Sequence, residues 1–282
     1  MPILEKSYAK FDQNYERIEG GYGREGLRTL TGMPTFMVYN DPSMEDELYP
    51  VHKYIADHNY PSVASCCNDV EGGIDGLSTQ HAYTLLDVAH LTDDDGNIVH
   101  TIAKMRNPWS REKYIGKWND DDPVWTEKWK KQVDLQNRND GHFWMPYSNF
   151  LKFFRFIDVA YYRDDYKTEY HYFEPTERDT YWRMHNPVDQ EVYITGEVYS
   201  GRHFPRNDEC QPKTNIRLYL RHADRTPVEP LRTSAKINKR GFATVGKYVG
   251  KLPKGEYQFR MSNRYHESGG QKNMTIQVSA TQ

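Results

Sequence analysis

The sequence predicts an α+β region over residues 1–159 followed by an all-β region over residues 160–282. In the first region, helical spacing of apolar residues alternates with short apolar runs typical of strands. In the second region, short alternating runs are separated by turn residues, as in a sandwich of two sheets. Charge divides in the same way: the first region carries 17 lysines and arginines against 25 acidic residues, and the second carries 20 against 15. We therefore expect two modules.

Composition excludes several classes of protein. A hydrophobic content of 37% and an aromatic content of 14% are sufficient for packed cores and exclude global disorder. No apolar run approaches the roughly 18 residues of a membrane span, and the first residues lack a signal-peptide pattern. Three cysteines, Cys66, Cys67 and Cys210, are too few for a disulfide framework or a structural zinc site, which favours a reducing, cytoplasmic location. Nucleic-acid, phosphate-loop and zinc-helix motifs are absent, so we expect no cofactor and no nucleic-acid partner.

Three helices are predicted before residue 60. The first is long and ends at Gly20, and a short second one over residues 24–30 stops at Gly32. The third is introduced by Ser43, which with Asp46 three residues later resembles a capping box. Their regularly spaced apolar residues are Leu4, Tyr8, Phe11, Tyr15 and Ile18 in the first helix, and Leu48, Val51 and Ile55 in the third.

Strands are predicted in both regions. The small, apolar run 62–68 is typical of a buried strand, and the runs 81–91 and 97–105 alternate in polarity. An acidic turn that ends at Gly96 joins these two runs, so they predict a hairpin in which the glycine has a positive φ. Five further strands are predicted in the second region: Val192–Tyr199, Ile216–Arg221, Ala243–Val249, Tyr257–Met261 and Met274–Val278.

Tryptophan is concentrated in one part of the chain. Five of the six tryptophans lie within 36 residues, which predicts packing around one site or interface. A helix is predicted directly after them, starting at Tyr147, capped by Ser148 and burying Phe150, Leu151 and Phe154.

A histidine and an asparagine at the ends of the hairpin are candidates for chemistry. His81 opens the first strand and Asn107 follows the second, so the two side chains can meet side by side. An asparagine can orient an imidazole, as in a Cys-His-Asn triad, and Trp109 can shield the hydrogen bond from water. The spacing alone is not specific.

The surrounding residues make this pattern specific, because they resemble the calpain family of papain-like cysteine proteases. The first region resembles the second half of the catalytic core, and the second region resembles the C2-like β-sandwich that follows it. The resemblance thus implies an antiparallel sheet with helices, then a sandwich. The matching segments are Leu4-Glu5-Lys6-Ser7-Tyr8-Ala9-Lys10, His81-Ala82-Tyr83, Arg106-Asn107-Pro108-Trp109, Gly116-Lys117-Trp118-Asn119-Asp120, Asp140-Gly141-His142-Phe143-Trp144-Met145 and, later, Tyr248–Tyr257.

The resemblance implies a site without its nucleophile. His81 and Asn107 match the catalytic His and Asn of the family, whereas the family's Cys lies in a half-core that would precede Leu4. Cys66 and Cys67 fall in a run whose family counterpart is an interior strand, so we expect them to pack in the core. Cys210, in the second region, is a still weaker candidate.

The family positions around this site have also changed. Gln80 and Ser110 stand where the family has Gly, and we expect their side chains to crowd the cleft or the substrate backbone. His81 and Asn107 are therefore expected to be vestigial.

The calcium-binding positions of the family are only partly present. Asp120 and Asp140 match acidic positions, whereas Lys113 and His142 stand where the family typically has Glu. Calcium takes six to eight oxygen ligands and requires substantial negative charge, so we expect no bound calcium. The acidic turns, including residues 120–122, are expected to be solvated.

The sequence thus predicts a catalytically inactive calpain-like protein that acts as a scaffold or interaction module in a larger assembly. Catalytically incomplete calpain-like proteins of unicellular eukaryotes associate with flagellar or cortical cytoskeleton, so the resemblance implies contact with the cytoskeleton, a cilium or flagellum, or a membrane surface. One alternative is one half of a split or processed protease whose Cys is supplied in trans. Another is a C2-like lipid-binding adaptor that uses Lys236, Lys239 and Arg240.

Overall fold

The chain forms two compact units with separate cores. The first unit comprises residues 26–31 and 35–162, and the second comprises residues 1–25, 32–34 and 163–282. The computed structural model describes residues 2–66, 75–111, 114–173, 179–198, 214–226, 228, 233–236, 243–265 and 274–281.

Five α-helices are present in these residues. None of the helices described is long and apolar enough to span a bilayer. Two short 3-10 turns, Tyr15–Ile18 and Pro42–Met44, precede α2 and α3. The helices are α1 (Pro2–Phe11), α2 (Gly23–Thr31), α3 (Glu45–Asp57), α4 (Glu127–Gln132) and α5 (Tyr147–Phe153).

The prediction of one long N-terminal helix is wrong. The chain leaves helical geometry at Gln13, whose φ is +82°, and Asn14 then caps a separate 3-10 turn with its side chain. The apolar face is also not buried, because Leu4 and Phe11 are 49% and 63% exposed. The following short helix is confirmed, and it ends before Gly32, whose φ is +68°.

Both predicted serine caps are wrong. The hydroxyl of Ser43 donates to the carboxylate of Asp41 (2.7 Å), and the N-terminus of α3 has no side-chain cap. At α5 the capping position is held by Pro146, again without a side-chain hydrogen bond, and Ser148 lies inside the helix. Phe154 is buried as expected but begins a strand instead of extending α5.

The first unit is built on an antiparallel six-stranded sheet in the order β1-β6-β2-β3-β4-β5. The predicted hairpin is confirmed as β3 and β4, and Gly96 in its turn has a φ of +85°. The predicted strand before it is β2. Three strands, β1, β5 and β6, were not predicted. The strands are β1 (Thr35–Tyr39), β2 (Ser62–Cys66), β3 (Ala82–Thr92), β4 (Ile98–Arg106), β5 (His142–Pro146) and β6 (Phe154–Ala160).

Four of the clustered tryptophans pack together on this sheet. Trp118, Trp125 and Trp144 form one buried cluster with aliphatic side chains of β3 and β4, and Trp129 packs against it. Trp118 has a φ of +72°, which is unfavourable for a bulky side chain. Its backbone N–H donates to the carboxylate of Asp122 (2.6 Å). Each buried indole removes about 150–250 Å² from water, so packing holds the strained backbone in place.

The second unit contains two four-stranded antiparallel sheets. Their orders are β11-β10-β13-β8 and β12-β9-β14-β7, and side chains from both sheets form one apolar core. All five strands predicted here are confirmed, whereas β7, β8 and β11 were not predicted. The strands are β7 (Tyr166–Phe173), β8 (Asp179–Asn186), β9 (Gln190–Val198), β10 (Thr214–His222), β11 (Thr233–Lys236), β12 (Ala243–Leu252), β13 (Gly255–Tyr265) and β14 (Met274–Thr281).

A buried histidine lies inside the first unit. His52 of α3 is 0% exposed, and its Nδ1 lies 2.6 Å from the hydroxyl of Tyr147. Among the described residues, its Nε2 has no hydrogen-bond partner. Burial lowers the pKa of His52 to about 4, because the charged imidazolium loses its hydration.

We expect His52 to make the first unit sensitive to acid. The unfolded chain takes up a proton near pH 6.5 and the folded chain only near pH 4, so stability from neutral His52 is complete above pH 6.5 and is lost as the pH falls toward 4. Relative to His52→Gln, the wild type should lose about 2 kcal/mol between pH 7.5 and pH 5. Urea unfolding followed by tryptophan fluorescence measures this, since five of the six tryptophans lie in the first unit.

The matched control is His58→Gln, because His58 is exposed at the end of the same helix. The pH-dependent difference from the wild type should be larger for His52→Gln than for this control, because His52 is the buried imidazole. A difference between the wild type and His52→Gln that is equal at both pH values would contradict the assignment.

Candidate functional site

The hairpin brings His81 and Asn107 together. His81 immediately precedes β3 and Asn107 immediately follows β4, and the two strands pair antiparallel with Thr84 opposite Arg106. The Nε2 atom of His81 lies 3.1 Å from the Oδ1 atom of Asn107. The contact thus arises from the register of two adjacent strands.

Asn107 determines the protonation pattern of the imidazole. The side chain is 1% exposed, and its Oδ1 also accepts the backbone N–H of Trp109 (3.1 Å). An oxygen that accepts from a backbone N–H can only accept from the histidine as well. His81 therefore donates from Nε2, and its neutral form presents the lone pair of Nδ1, as in a general base whose second nitrogen is fixed.

Two aromatic rings enclose the imidazole of His81. The Trp109 ring lies over it at 4.2 Å between centroids with a tilt of 32°, and Tyr83 meets it edge-on at 4.8 Å. Trp109 is 47% exposed and Tyr83 only 2%, so one wall faces solvent and the other faces the core. The contact of Tyr83 with His81 was not predicted. Side chains two residues apart on a strand point to the same face, so the sequence could have indicated it.

Asn107 is also anchored through its backbone. Its N–H donates to the carbonyl oxygen of Gly141 (2.8 Å). Gly141 has a φ of +90°, and a Cβ there would lie 2.6 Å from the Asn107 carbonyl oxygen. A glycine is therefore required at this position by both backbone conformation and space, which the sequence analysis did not recognise.

Gln80 and Ser110 both have left-handed backbone conformations, with φ values of +50° and +55°. Both side chains are exposed. Backbone strain of about 1–2 kcal/mol for an L-residue is therefore one physical reason for Gly at these positions, and crowding of the cleft by the two side chains stays a prediction.

Cys66 lies beside the site but inside the sheet. It ends β2, its N–H donates to the carbonyl oxygen of His81 (2.9 Å), and it is 7% exposed. Core packing is thus what the structure shows for this thiol. Cys67 and Cys210 lie outside the described residues.

The acidic positions are brought together near Gly141. Burial, reinforced by the negative charges of Asp140 and Asp121, raises the pKa of Asp120 to about 6. Asp120 is 8% exposed, so the expectation that this turn is solvated is wrong for its first residue. Its Oδ2 accepts the backbone N–H of Arg138 (3.2 Å).

The imidazole of His142 contacts the carboxylate of Asp140. Its Nδ1 lies 2.7 Å from Oδ1 of Asp140, and its backbone N–H donates to the same oxygen (3.0 Å). Partial burial raises the pKa of Asp140, but the hydrogen bonds and charge of His142 outweigh it and leave that pKa below its usual value.

We expect this arrangement not to bind calcium. One acidic oxygen is already bound by an imidazole, and Asp120 is buried with only one hydrogen bond from the backbone. Among the described residues, no group of three or more His, Cys, Asp or Glu side chains is placed to hold a metal ion. Lys113 lies outside the described residues.

The basic residues considered for lipid binding are only partly described. Lys236 is the last residue of β11, and Lys239 and Arg240 lie outside the described residues.

We expect glycine at the two strained positions to stabilise the protein. Gln80→Gly and Ser110→Gly should each raise the free energy of unfolding by about 0.5–1 kcal/mol, because relief of the left-handed strain exceeds the extra entropy of the unfolded chain. Urea denaturation followed by tryptophan fluorescence measures the change. Ser148→Gly, in α5, is the control and should lower stability by a similar amount. Loss of stability in both site variants would show that the strain is absent.

We expect calcium to bind only after two carboxylates are restored. One millimolar calcium should leave the melting temperature of the wild type unchanged relative to EDTA. The double variant Lys113→Glu/His142→Glu should gain several degrees, because it adds two carboxylates and removes one lysine charge at positions where the family typically has Glu. His142→Gln is the control, since it removes the imidazole without adding a carboxylate. A calcium-dependent shift in the wild type would contradict the assignment.

Curated relatives share this sequence over about half of the chain. It is 30% identical over 168 residues to calpain clp-4 of Caenorhabditis elegans, covering 56% of this chain and 23% of the relative. It is 29% identical over 193 residues to the calpain-2 catalytic subunit of Mus musculus, covering 64% and 27%. It is 31% identical over 172 residues to the calpain-type cysteine protease DEK1 of Zea mays, covering 56% and 8%. The chain therefore spans about a quarter or less of the length of these relatives.

The family match extends over more than half of the chain. Residues 1–161 match the family described as calpain family cysteine protease (Peptidase_C2), and this stretch contains His81, Asn107, Asp120 and Asp140. The geometry of the imidazole–amide pair and the sequence match agree. This chain belongs to the calpain family of cysteine proteases.

Proposed function

We propose that residues 1–282 do not cleave peptide bonds with their own side chains and serve as an interaction module of the calpain family. The observation that carries this proposal is the position of Cys66. It is the one cysteine in the described part of the chain, and it is buried in β2 with its backbone bonded to His81. A protease nucleophile must be accessible to substrate and able to form a thiolate, and a thiol packed in a sheet is neither.

The hydrogen bonds of Asn107 support a structural reason for keeping the pair. The side-chain amide of Asn107 contacts His81 before β3 and the backbone of Trp109 after β4. The backbone N–H of Asn107 bonds to Gly141. A buried polar side chain with these contacts contributes to stability with or without catalysis. We extend the proposal to architecture: a papain-like half-core over residues 1–159 and a C2-like sandwich over residues 160–282.

The fixed imidazole favours a second candidate function. His81 presents Nδ1 as a base while Asn107 holds Nε2, which is the arrangement that activates a thiol in a Cys-His-Asn triad. A Cys-bearing segment outside these 282 residues would complete a protease. In that case this chain supplies the base half of a composite site.

The cellular role follows from the family resemblance. We propose a cytoplasmic protein in a larger assembly, in contact with the cytoskeleton, a cilium or flagellum, or a membrane surface. The half-exposed Trp109 and the adjacent His81 form an aromatic surface suited to a protein partner. A lipid-binding adaptor remains the third candidate.

The two main candidates are separated by labelling with a thiol-directed epoxysuccinyl peptide. We expect the purified chain to remain unlabelled and to release no product from a fluorogenic peptide, because its described thiol is buried. Addition of the Cys-bearing half-core of the mouse calpain-2 catalytic subunit tests the composite site. Under the inactive proposal the mixture also shows no labelling and no turnover.

His81→Ala and Cys66→Ser are the controls. Labelling of the chain alone that disappears in Cys66→Ser would refute the proposal. Labelling of the added half that disappears in His81→Ala would establish the composite site instead. Circular dichroism of both variants confirms that they fold.

A further inference from the structure

The sheet β11-β10-β13-β8 has one face on the core of the second unit and one face away from it. Strand alternation places Leu218 and Leu220 of β10, Phe259 and Met261 of β13 and Trp182 of β8 on the core face. The residues between them point to the opposite face. All of these residues belong to the second unit.

The opposite face is rich in arginine and tyrosine. In one row across the strands, Tyr219 pairs with Arg260, and Arg260 pairs with Tyr181. The next row contains Arg221, Gln258 and Arg183, again as direct cross-strand partners. Arg217 precedes Tyr219 by two residues and lies on the same face. Side chains directly opposite each other are about 5 Å apart, so these residues form one continuous surface.

Most of the arginine charge on this surface has no ion-pair partner among the described residues, and the carboxylate of Glu256 on the same face contacts His185. In the part of the chain that the structure describes, Asp179 is the only acidic partner of the four arginines, 3.8 Å from Arg260. Arg183, Arg217 and Arg221 have no carboxylate within ion-pair distance among those residues. Like charges on adjacent strands repel each other, so an anionic partner would bind favourably.

One of the arginines is held in a fixed position. The guanidinium of Arg260 lies 4.2 Å over the ring of Tyr219, and its Nε is buried without a hydrogen-bond partner among the described residues. Stacking on an aromatic ring reduces the conformational entropy that a guanidinium loses on binding. Tyr181, on the next strand, is 51% exposed and offers a second ring.

We propose that this face, named here the arginine face (Arg183, Arg217, Tyr219, Arg221, Arg260 and Tyr181), docks an extended peptide rich in aspartate and glutamate. Carboxylates match the planar fork of a guanidinium and bind it through two parallel hydrogen bonds. Alternate side chains of an extended peptide repeat every 6–7 Å, as do alternate positions along β10. The surface is the flat face of a sheet, which suits a peptide laid across it better than insertion into a bilayer.

This inference rests on the proposed role as an interaction module and names the chemistry of one partner. It does not use the His81 site. Binding of an acidic peptide is therefore measured independently of peptidase activity, and failure of either result leaves the other intact.

The test is fluorescence anisotropy of the whole chain with a labelled Glu-Ser repeat peptide of about twelve residues. We expect saturable binding at about 50 mM salt that weakens as salt rises. A Gln-Ser peptide of the same length should not bind. The double variant Arg183→Gln/Arg221→Gln should weaken binding at least about tenfold, because two charge-assisted pairs are lost. These side chains are at the surface, so the variant should keep its melting temperature.

Arg225→Gln is the matched control, because Arg225 is exposed in the turn after β10 and is not one of the residues of the arginine face. It should change the affinity by less than about twofold. No saturable binding of the acidic peptide, or equal binding by the double variant, would refute the proposal. Binding to phosphatidylserine vesicles that depends on Arg183 and Arg221, without binding of the peptide, would assign the face to a membrane surface and also refute it.

Discussion

The first unit depends on Asn107, because its side-chain oxygen and its backbone N–H together connect three segments of the chain. This oxygen accepts from the imidazole of His81 before β3 and from the backbone of Trp109 after β4. The backbone of the same residue bonds to Gly141, before β5. Removal of the amide would leave two part-buried donors without their acceptor, which should lower stability. The imidazole–amide pair is thus part of the fold before it is part of any reaction, and its presence alone does not establish catalysis.

The same connection links the acidic positions to the site. His142 follows Gly141 directly, and its imidazole contacts the carboxylate of Asp140. The carbonyl oxygen of Gly141 in turn accepts the backbone N–H of Asn107, so the acidic segment and the imidazole–amide pair are joined through one short stretch of chain.

Local sequence patterns predicted the parts of the fold that depend on local structure. The β3–β4 hairpin and five strands of the second unit follow from alternation and turn residues, and the contact of His81 with Asn107 follows from that hairpin. Strands β1 and β6 were not predicted, because β6 pairs with β1 and with β2, which lie roughly 120 and 90 residues away along the chain. The serine caps failed for a local reason: Ser43 donates to Asp41 while α3 begins without a side-chain cap, and Pro146 holds the capping position of α5. Burial of Asp120 depends on distant segments.

Two buried groups of the first unit respond to acid in opposite directions. His52 resists protonation in the folded state, with a pKa of about 4, so acidification from pH 6.5 removes stability. Asp120 is more readily protonated when folded, with a pKa of about 6 against 3.8 unfolded, so its cost is present above pH 6 and is relieved as the pH falls toward 4. The two shifts are similar in size and act in the same range of pH. The wild type should therefore show a shallow profile, and the contribution of His52 becomes visible only in the difference between the wild type and a variant without that imidazole.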